Sequence, residues 1–372
     1  VVGYFQQSGT YNNFNVKNLV TSGSAELLTQ VNYAFAELQN NQCVSSDTYA
    51  DYQQALPADE TVDGIADSTK AGAFVGNFHQ LQELKRRFPE LKISISIGGG
   101  SANPADFSVV AEPANRKAFV KSCIDMFIKG KFAPGIEQPG IFDGIDIDWE
   151  YPASAEDMEN LTGLLEEFRS QMDEVRPGLP LSIASSAGSW AYQYIDLEKV
   201  QHSLTFFDLM TYDFDGPWNN TTGLVAPLFQ AAGDPSTTNN AASAVSAYLA
   251  AGVAPEKIVF GVPFYGYEWT AVPDVDHGLF QPGTPVGEGS GYSSIVPLES
   301  TFVHYRDPVT QAPWLYDGTN FWTYDDPQSL AYKMLYVRKE KLGGVMAWSL
   351  SGDMPNGILL KTVAFGLSED PR

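Results

Sequence analysis

Histidine, cysteine and positive charge are what this 372-residue chain has least of: 4 His, 2 Cys, and 22 Lys+Arg against 45 Asp+Glu. The resulting net charge of −23 repels phosphate backbones and anionic lipid, so neither nucleic acid nor a membrane surface is an expected partner. Two cysteines cannot build a disulfide scaffold in a chain this long. Cys43 and Cys123 either form one bridge, as in a secreted protein, or remain two buried thiols. No run of about 18 apolar residues exists, so no helical membrane span is expected. No leader is visible, and Val1-Val2-Gly3-Tyr4-Phe5 already reads as a strand, so the expectation is a mature or excised module.

Aromatic residues, by contrast, make up 13% of the chain, and hydrophobic residues 44%, which suffices for a large core. Flat rings also suit the apolar faces of sugars, although most rings in a chain this size belong to the core. Short β-branched runs recur at 1–5, 31–38, 92–99, 144–150, 181–187, 205–213, 257–265 and 344–350. Helical spacing fills most of the gaps, at 76–88, 116–129, 155–175, 240–251 and 326–342, with Ser154 as the expected cap of the third. Eight strand–helix repeats predict an α/β fold, a (β/α)8 TIM barrel. A doubly wound open sheet ranks below it, because no Gly-rich phosphate loop follows the first strand. Between the last two strands, residues 267–324 show no crossover helix and are too long for a bare loop. They predict a small α+β insertion, with 1–266 plus 325–372 forming the barrel. Segments 39–70 and 132–142 read as long rim loops.

The fourth strand carries the chemistry. Asp146, Asp148 and Glu150 alternate with Ile145, Ile147 and Trp149. Spacing of two puts the three acids on one face, with successive Cβ atoms on the order of 7 Å apart. On a half-exposed antiparallel strand this would be ordinary amphipathic patterning. In a parallel barrel both faces are covered, so the acids must point inward. Burial and like charge both raise carboxyl pKa, and a proton shared along the ladder keeps one acid ready as a proton donor. A row of hard oxygens would also suit Mg²⁺ or Ca²⁺, but no histidine lies near. The expectation is therefore acid–base chemistry with no metal and no cofactor.

Asp143-Gly144-Ile145-Asp146-Ile147-Asp148-Trp149-Glu150 resembles the D-G-x-D-x-D-x-E signature of glycoside hydrolase family 18, the chitinase family. Ser96-Ile97-Gly98-Gly99, Met210-Thr211-Tyr212-Asp213, Gly261-Val262-Pro263-Phe264-Tyr265-Gly266 and Gly344-Val345-Met346-Ala347-Trp348-Ser349 resemble the family's motifs in order, so the likeness spans nearly the whole chain. It implies a chitinase with a bacterial-type insertion, acting on chitin or chito-oligosaccharide; the acidic composition and a possible single disulfide suit a secreted protein, and a monomer is expected. The likeness further implies a retaining mechanism in which the substrate's own N-acetyl oxygen is the nucleophile. Carried over, Glu150 is the acid, Asp148 orients the acetamide, Asp146 shares its proton, and Tyr212 holds the acetamide carbonyl. Ser96 and Tyr4 support Asp146; Trp348 floors the −1 sugar, whose glycosidic bond breaks. Asp213, Met210, Phe35 and Tyr265 line the pocket. Gly100 and Ser8 stand where the family often has sugar-stacking Trp residues, which leaves Trp218 and Trp314 as candidate platforms and Arg306 as a candidate contact from the insertion. The competing functions are an endo-β-N-acetylglucosaminidase acting on N-glycans, a chitin-binding lectin that has lost activity, and an inhibitor protein. The acids at 146, 148 and 150 argue against the lectin.

Overall fold

The computed structural model describes residues 1–368. Its eight central strands are β1 (Val2–Gln6), β2 (Gln30–Gln39), β3 (Lys92–Gly98), β4 (Gly144–Asp148), β5 (Leu181–Ser186), β6 (Phe206–Met210), β7 (Ile258–Pro263) and β8 (Gly344–Trp348). They form one sheet in the order β1-β8-β7-β6-β5-β4-β3-β2, and β1 also pairs with β2, so the sheet closes. The fold is a (β/α)8 barrel. Strands buried on both faces need apolar residues at every position or polar ones with internal partners. β3 and β4 follow this rule: Ile93, Ile95, Ile145 and Ile147 are buried, and so are Ser94, Ser96 and Asp146.

The chain packs as two compact units. The first comprises Val2–Ser185 and Trp190–Phe207. Its helices at Gly76–Arg87, Arg116–Cys123 and Ala155–Val175 lie where the periodicity predicts, and Ser154 Oγ accepts the backbone N–H of Asp157 as the expected cap. Phe78, Phe127, Phe132 and Phe142 form an aromatic cluster whose ring centroids lie 4.8–6.4 Å apart. Truncating Phe78, which is fully buried, would cost about 3–5 kcal/mol. The cysteines form a bridge: Cys43 and Cys123 are disulfide-bonded, tying the short strand Gln42–Ser45 to the helix Arg116–Cys123.

Both expected rim loops prove to be partly structured. Segment 39–70 contains the strand Gln42–Ser45 and the helix Thr48–Tyr52, and segment 132–142 overlaps a small hairpin of Lys131–Ala133 with Ile136–Glu137. The helix Thr48–Tyr52 exists to place Asp51, which is 1% exposed. Gln7 Nε2, the Tyr33 hydroxyl and Ser45 Oγ donate to its carboxyl at 2.6, 2.5 and 2.5 Å. Burial nonetheless pushes the Asp51 pKa up to about 7.

The second unit runs from Asp208 onward and includes Ser186–Ser189. Between β7 and β8 it carries an antiparallel five-stranded sheet, in the spatial order Thr284–Gly291, Tyr265–Thr270, Phe321–Thr323, Pro313–Tyr316, Val303–Arg306. The chain then enters the helix Pro327–Lys339, capped reciprocally by Asp326 and Ser329. Lys333 and Asp325, each 1% exposed, form a buried ion pair beneath it. Helices at Pro104–Ala111 and Ser189–Tyr192 in the loops after strands, and at the chain's end, Ile358–Leu367, are additional to those expected from sequence.

Candidate active site

Strand register assembles the first group of candidates. Asp146 lies opposite Ser96 on β3 and opposite Ser182 on β5. Both hydroxyls reach its carboxyl: Ser96 donates to Oδ2 and Ser182 to Oδ1, each at 2.7 Å. The Tyr4 hydroxyl, from β1, donates to Oδ2 at 2.7 Å. Asp146 has no exposed surface, and burial raises its pKa against the pull of these three donors. A carboxyl so placed cannot touch a ligand directly. It can store a proton and exchange it with the next acid along the strand.

That next acid, Asp148, is 4% exposed, and Glu150 lies two residues further on, just past the strand's end and half-buried. Ile145, Ile147 and Trp149 take the opposite face, where Trp149 stacks on Phe107 at 5.5 Å. The alternating sequence runs along β4 as far as Asp148, and Glu150 follows beyond the strand's end. Asp143, the first acid of the signature, has a different task. It pairs with Lys85 at 2.8 Å and accepts the backbone N–H of Ile93, which fixes the start of β4.

The glycine run after β3 is required by space. A Cβ at Gly98 would lie 2.3 Å from the carbonyl oxygen of Asp148, and one at Gly99 would lie 2.6 Å from the ring of Phe35. Gly98 also has φ of +110°, which L side chains rarely adopt. A Cβ at Gly100 would stand 3.3 Å from Glu150 Oε1, so the bare backbone there leaves room around that carboxyl.

The second unit supplies the remaining candidates. The ring of Tyr212 lies over Gly261, where a Cβ would approach it to 2.9 Å, and its hydroxyl is 3.8 Å from Met346 Sδ. Asp213 sits in a left-handed conformation, with φ of 59°. Tyr265 and Tyr267 both donate to its Oδ1, at 2.5 and 2.9 Å. Its surface is open to solvent, yet the surrounding rings raise its pKa by desolvation, with the two phenols pulling the other way. Met210 ends β6, and Trp348 ends β8 opposite Pro263. Trp218 is 57% exposed and rests on Gly216, where any Cβ would strike the indole.

Two expectations need correction. Trp314 is buried, stacks on Tyr305 at 5.5 Å and donates its indole N–H to the His277 carbonyl, so it offers no open platform. Arg306 pairs with Asp326 and donates to the Gln311 carbonyl. It anchors the cap of the helix Pro327–Lys339 instead of standing free for a ligand. Sequence reasoning also missed Ser182, Met346 and Trp190. Ser182 had a signal, since it repeats on β5 the inward serine that Ser96 provides on β3. Trp190 is 64% exposed and meets Tyr151, the residue after Glu150, edge-on at 5.0 Å. Among the described residues, no group of three or more His, Cys, Asp or Glu could hold a metal.

Comparison with known proteins fits this geometry. Residues 1–353 match the model of glycosyl hydrolases family 18. Chitinase C of Streptomyces lividans is 35% identical over 370 residues, covering 96% of this chain and 58% of its own length. The chain spans between 56% and 60% of the first curated relatives it matches. The catalytic domain of a psychrophilic chitinase B from Arthrobacter TAD20 superposes with a TM-score of 0.92 at 33% identity, covering 100% of this chain and 95% of that one. A family 18 N-acetylglucosaminidase from Paenibacillus barengoltzii superposes with a TM-score of 0.79 at 28% identity, covering 98% of both chains. The chain belongs to glycosyl hydrolases family 18.

Proposed function

We propose that this chain is the catalytic module of a chitinase, cleaving β-1,4 links between N-acetylglucosamine units with retention of configuration. The observation that carries the reading is the fully buried Asp146 with three hydroxyl donors at the root of a ladder ending in Glu150. In this reading Glu150 alone meets the leaving group and no carboxylate acts as nucleophile. A substrate that brings its own nucleophile resolves this, and the N-acetyl oxygen is such a group.

Glu150 then protonates the glycosidic oxygen. The acetamide oxygen of the −1 sugar closes on the anomeric carbon, giving an oxazolinium ion. Asp148 accepts the acetamide N–H and balances the positive charge, while Asp146 holds the proton that Asp148 releases. Tyr212 donates to the acetamide oxygen and so aligns it. Trp348 supports the −1 ring, with Met210, Asp213, Tyr265 and Phe35 lining the same sugar and Trp218 serving a more distant one. Glu150 finally takes a proton from water, which opens the oxazolinium from the face the leaving group vacated.

The inserted sheet is read as an α+β subdomain over 267–324 that builds one wall for a polymer. Secretion is inferred from the Cys43–Cys123 bridge, which needs an oxidising compartment. The module is taken to act as a monomer, to be checked by sedimentation.

The deciding experiment is hydrolysis of a chitin oligosaccharide by the wild type and by Glu150→Gln, with product anomers followed by NMR. Initial β-anomers from the wild type and a loss of about 10²–10⁴-fold in the variant are expected. Equal rates would remove Glu150 from its role. Binding without turnover in the wild type would mark a lectin.

A further inference from the structure

The motifs give Tyr267 no role, yet it contacts two residues that matter. Its hydroxyl donates to Asp213 Oδ1, and its ring meets the exposed indole of Trp218 edge-on at 5.8 Å. Tyr265 shares the Asp213 oxygen, meets Tyr267 edge-on at 5.5 Å and meets Tyr212 in the same manner at 6.1 Å. Tyr267 lies on the first strand of the inserted sheet, paired with Thr323 of the neighbouring strand, so its position is fixed by backbone hydrogen bonds.

A carboxyl on a two-bond stem turns easily about its last torsion, where the energy wells are broad. One donor would still let Asp213 pivot. Two donors converging on Oδ1 from one strand restrict that rotation and leave Oδ2 outside both bonds. Asp213 is also in an uncommon backbone conformation for a non-glycine residue, so its placement depends on what surrounds it. The same hydroxyls stabilise the ionised form of the carboxyl against the desolvating rings.

We propose that Tyr267 is a positioning residue: from the inserted sheet its hydroxyl sets the orientation and charge of Asp213 toward the bound sugar, while its ring backs the Trp218 platform. The insertion thereby governs substrate alignment as well as forming a wall. This rests on the chitinase reading above.

The test is a double-mutant cycle on a tetramer of N-acetylglucosamine, with Tyr267→Phe made in the wild type and in Asp213→Asn. Phenylalanine keeps the ring against Trp218 and removes only the hydroxyl. Tyr267→Phe is expected to lower kcat/KM about tenfold in the wild type and by less than about twofold in Asp213→Asn, because the two act as one unit. Carbon-13 NMR of the Asp213 carboxyl, identified by its disappearance in Asp213→Asn, should show its pKa rising by about one unit in Tyr267→Phe. An equal loss in both backgrounds, or an unmoved titration, overturns the proposal. If the wild type does not cleave the tetramer, the chitinase reading fails on its own, and the titration alone decides whether Tyr267 controls Asp213.

Discussion

Each compact unit holds a carboxyl gripped by hydroxyl groups, and the two could hardly be used more differently. Asp146 takes three donors on both oxygens and has no exposed surface. Asp213 takes two donors on one oxygen and remains open to solvent. Desolvation raises both pKa values, at Asp213 through the rings packed around its carboxyl. What separates them is which oxygens are already satisfied: a carboxyl saturated on both sides serves its neighbours, and one saturated on a single side is free to serve a ligand. The units also differ in what staples them, a disulfide in one and a buried lysine–aspartate pair in the other.

The staples give the largest expected effect. Lys333→Met leaves Asp325 buried without its cation, and a loss of about 3–5 kcal/mol is expected. Cys43→Ser opens a bridge between residues 80 apart and should cost about 2–4 kcal/mol. Urea titration of both variants ranks them, and the reverse order would mean that the ion pair is the weaker clamp. Next come the two carboxyls. Asp146→Asn is expected to lower kcat about 10²-fold on chitin oligosaccharides with KM nearly unchanged, since Asp146 touches no ligand. Asp213→Asn should cost about tenfold in kcat/KM, with KM rising. A KM effect for Asp146→Asn larger than that for Asp213→Asn would break the contrast between reservoir and contact.

The most gradual effect, spread over several pH units, concerns Asp51. Its folded-state pKa of about 7 lies far above the value of an unfolded chain. The native state therefore binds more protons than the unfolded one between about pH 4 and 7, and stability falls as pH rises through that window. The slope from one such group is at most about 1.4 kcal/mol per pH unit. Asp51→Asn should flatten that part of the stability–pH curve measured by urea unfolding. An unchanged slope would mean that the Asp51 network does not titrate there.

All eight barrel strands were legible because each is a short run holding β-branched, aromatic or other large apolar residues, bounded by Gly, Pro or polar residues. Period-two carboxylates on one of them made the ladder legible as well. The helix Ile358–Leu367 escaped for a local reason: it starts from Gly357 in a left-handed conformation, and the carboxyl that accepts its first N–H groups, Asp353, stands several residues upstream of the usual cap position. Segment 42–52 escaped because its strand and helix are each only four or five residues long and are held by the Cys43 bridge and the Asp51 network. Trp314 and Arg306 were misjudged because residue type alone says nothing about whether a ring or guanidinium is already satisfied at home. Tyr267 stayed invisible because the contact that gives it meaning joins residues 54 apart.

Only Phe264 separates the end of β7 at Pro263 from the inserted sheet at Tyr265. The insertion is therefore spliced into the barrel with no slack at its leading seam. Anyone recombining such enzymes who cuts at 267 leaves Tyr265 with the recipient barrel and takes residue 267 from the donor, so the two phenols that hold Asp213 come from different parents. A swapped subdomain would import its own grip on that carboxyl, and chimeras should inherit sugar alignment from whichever parent supplies this seam.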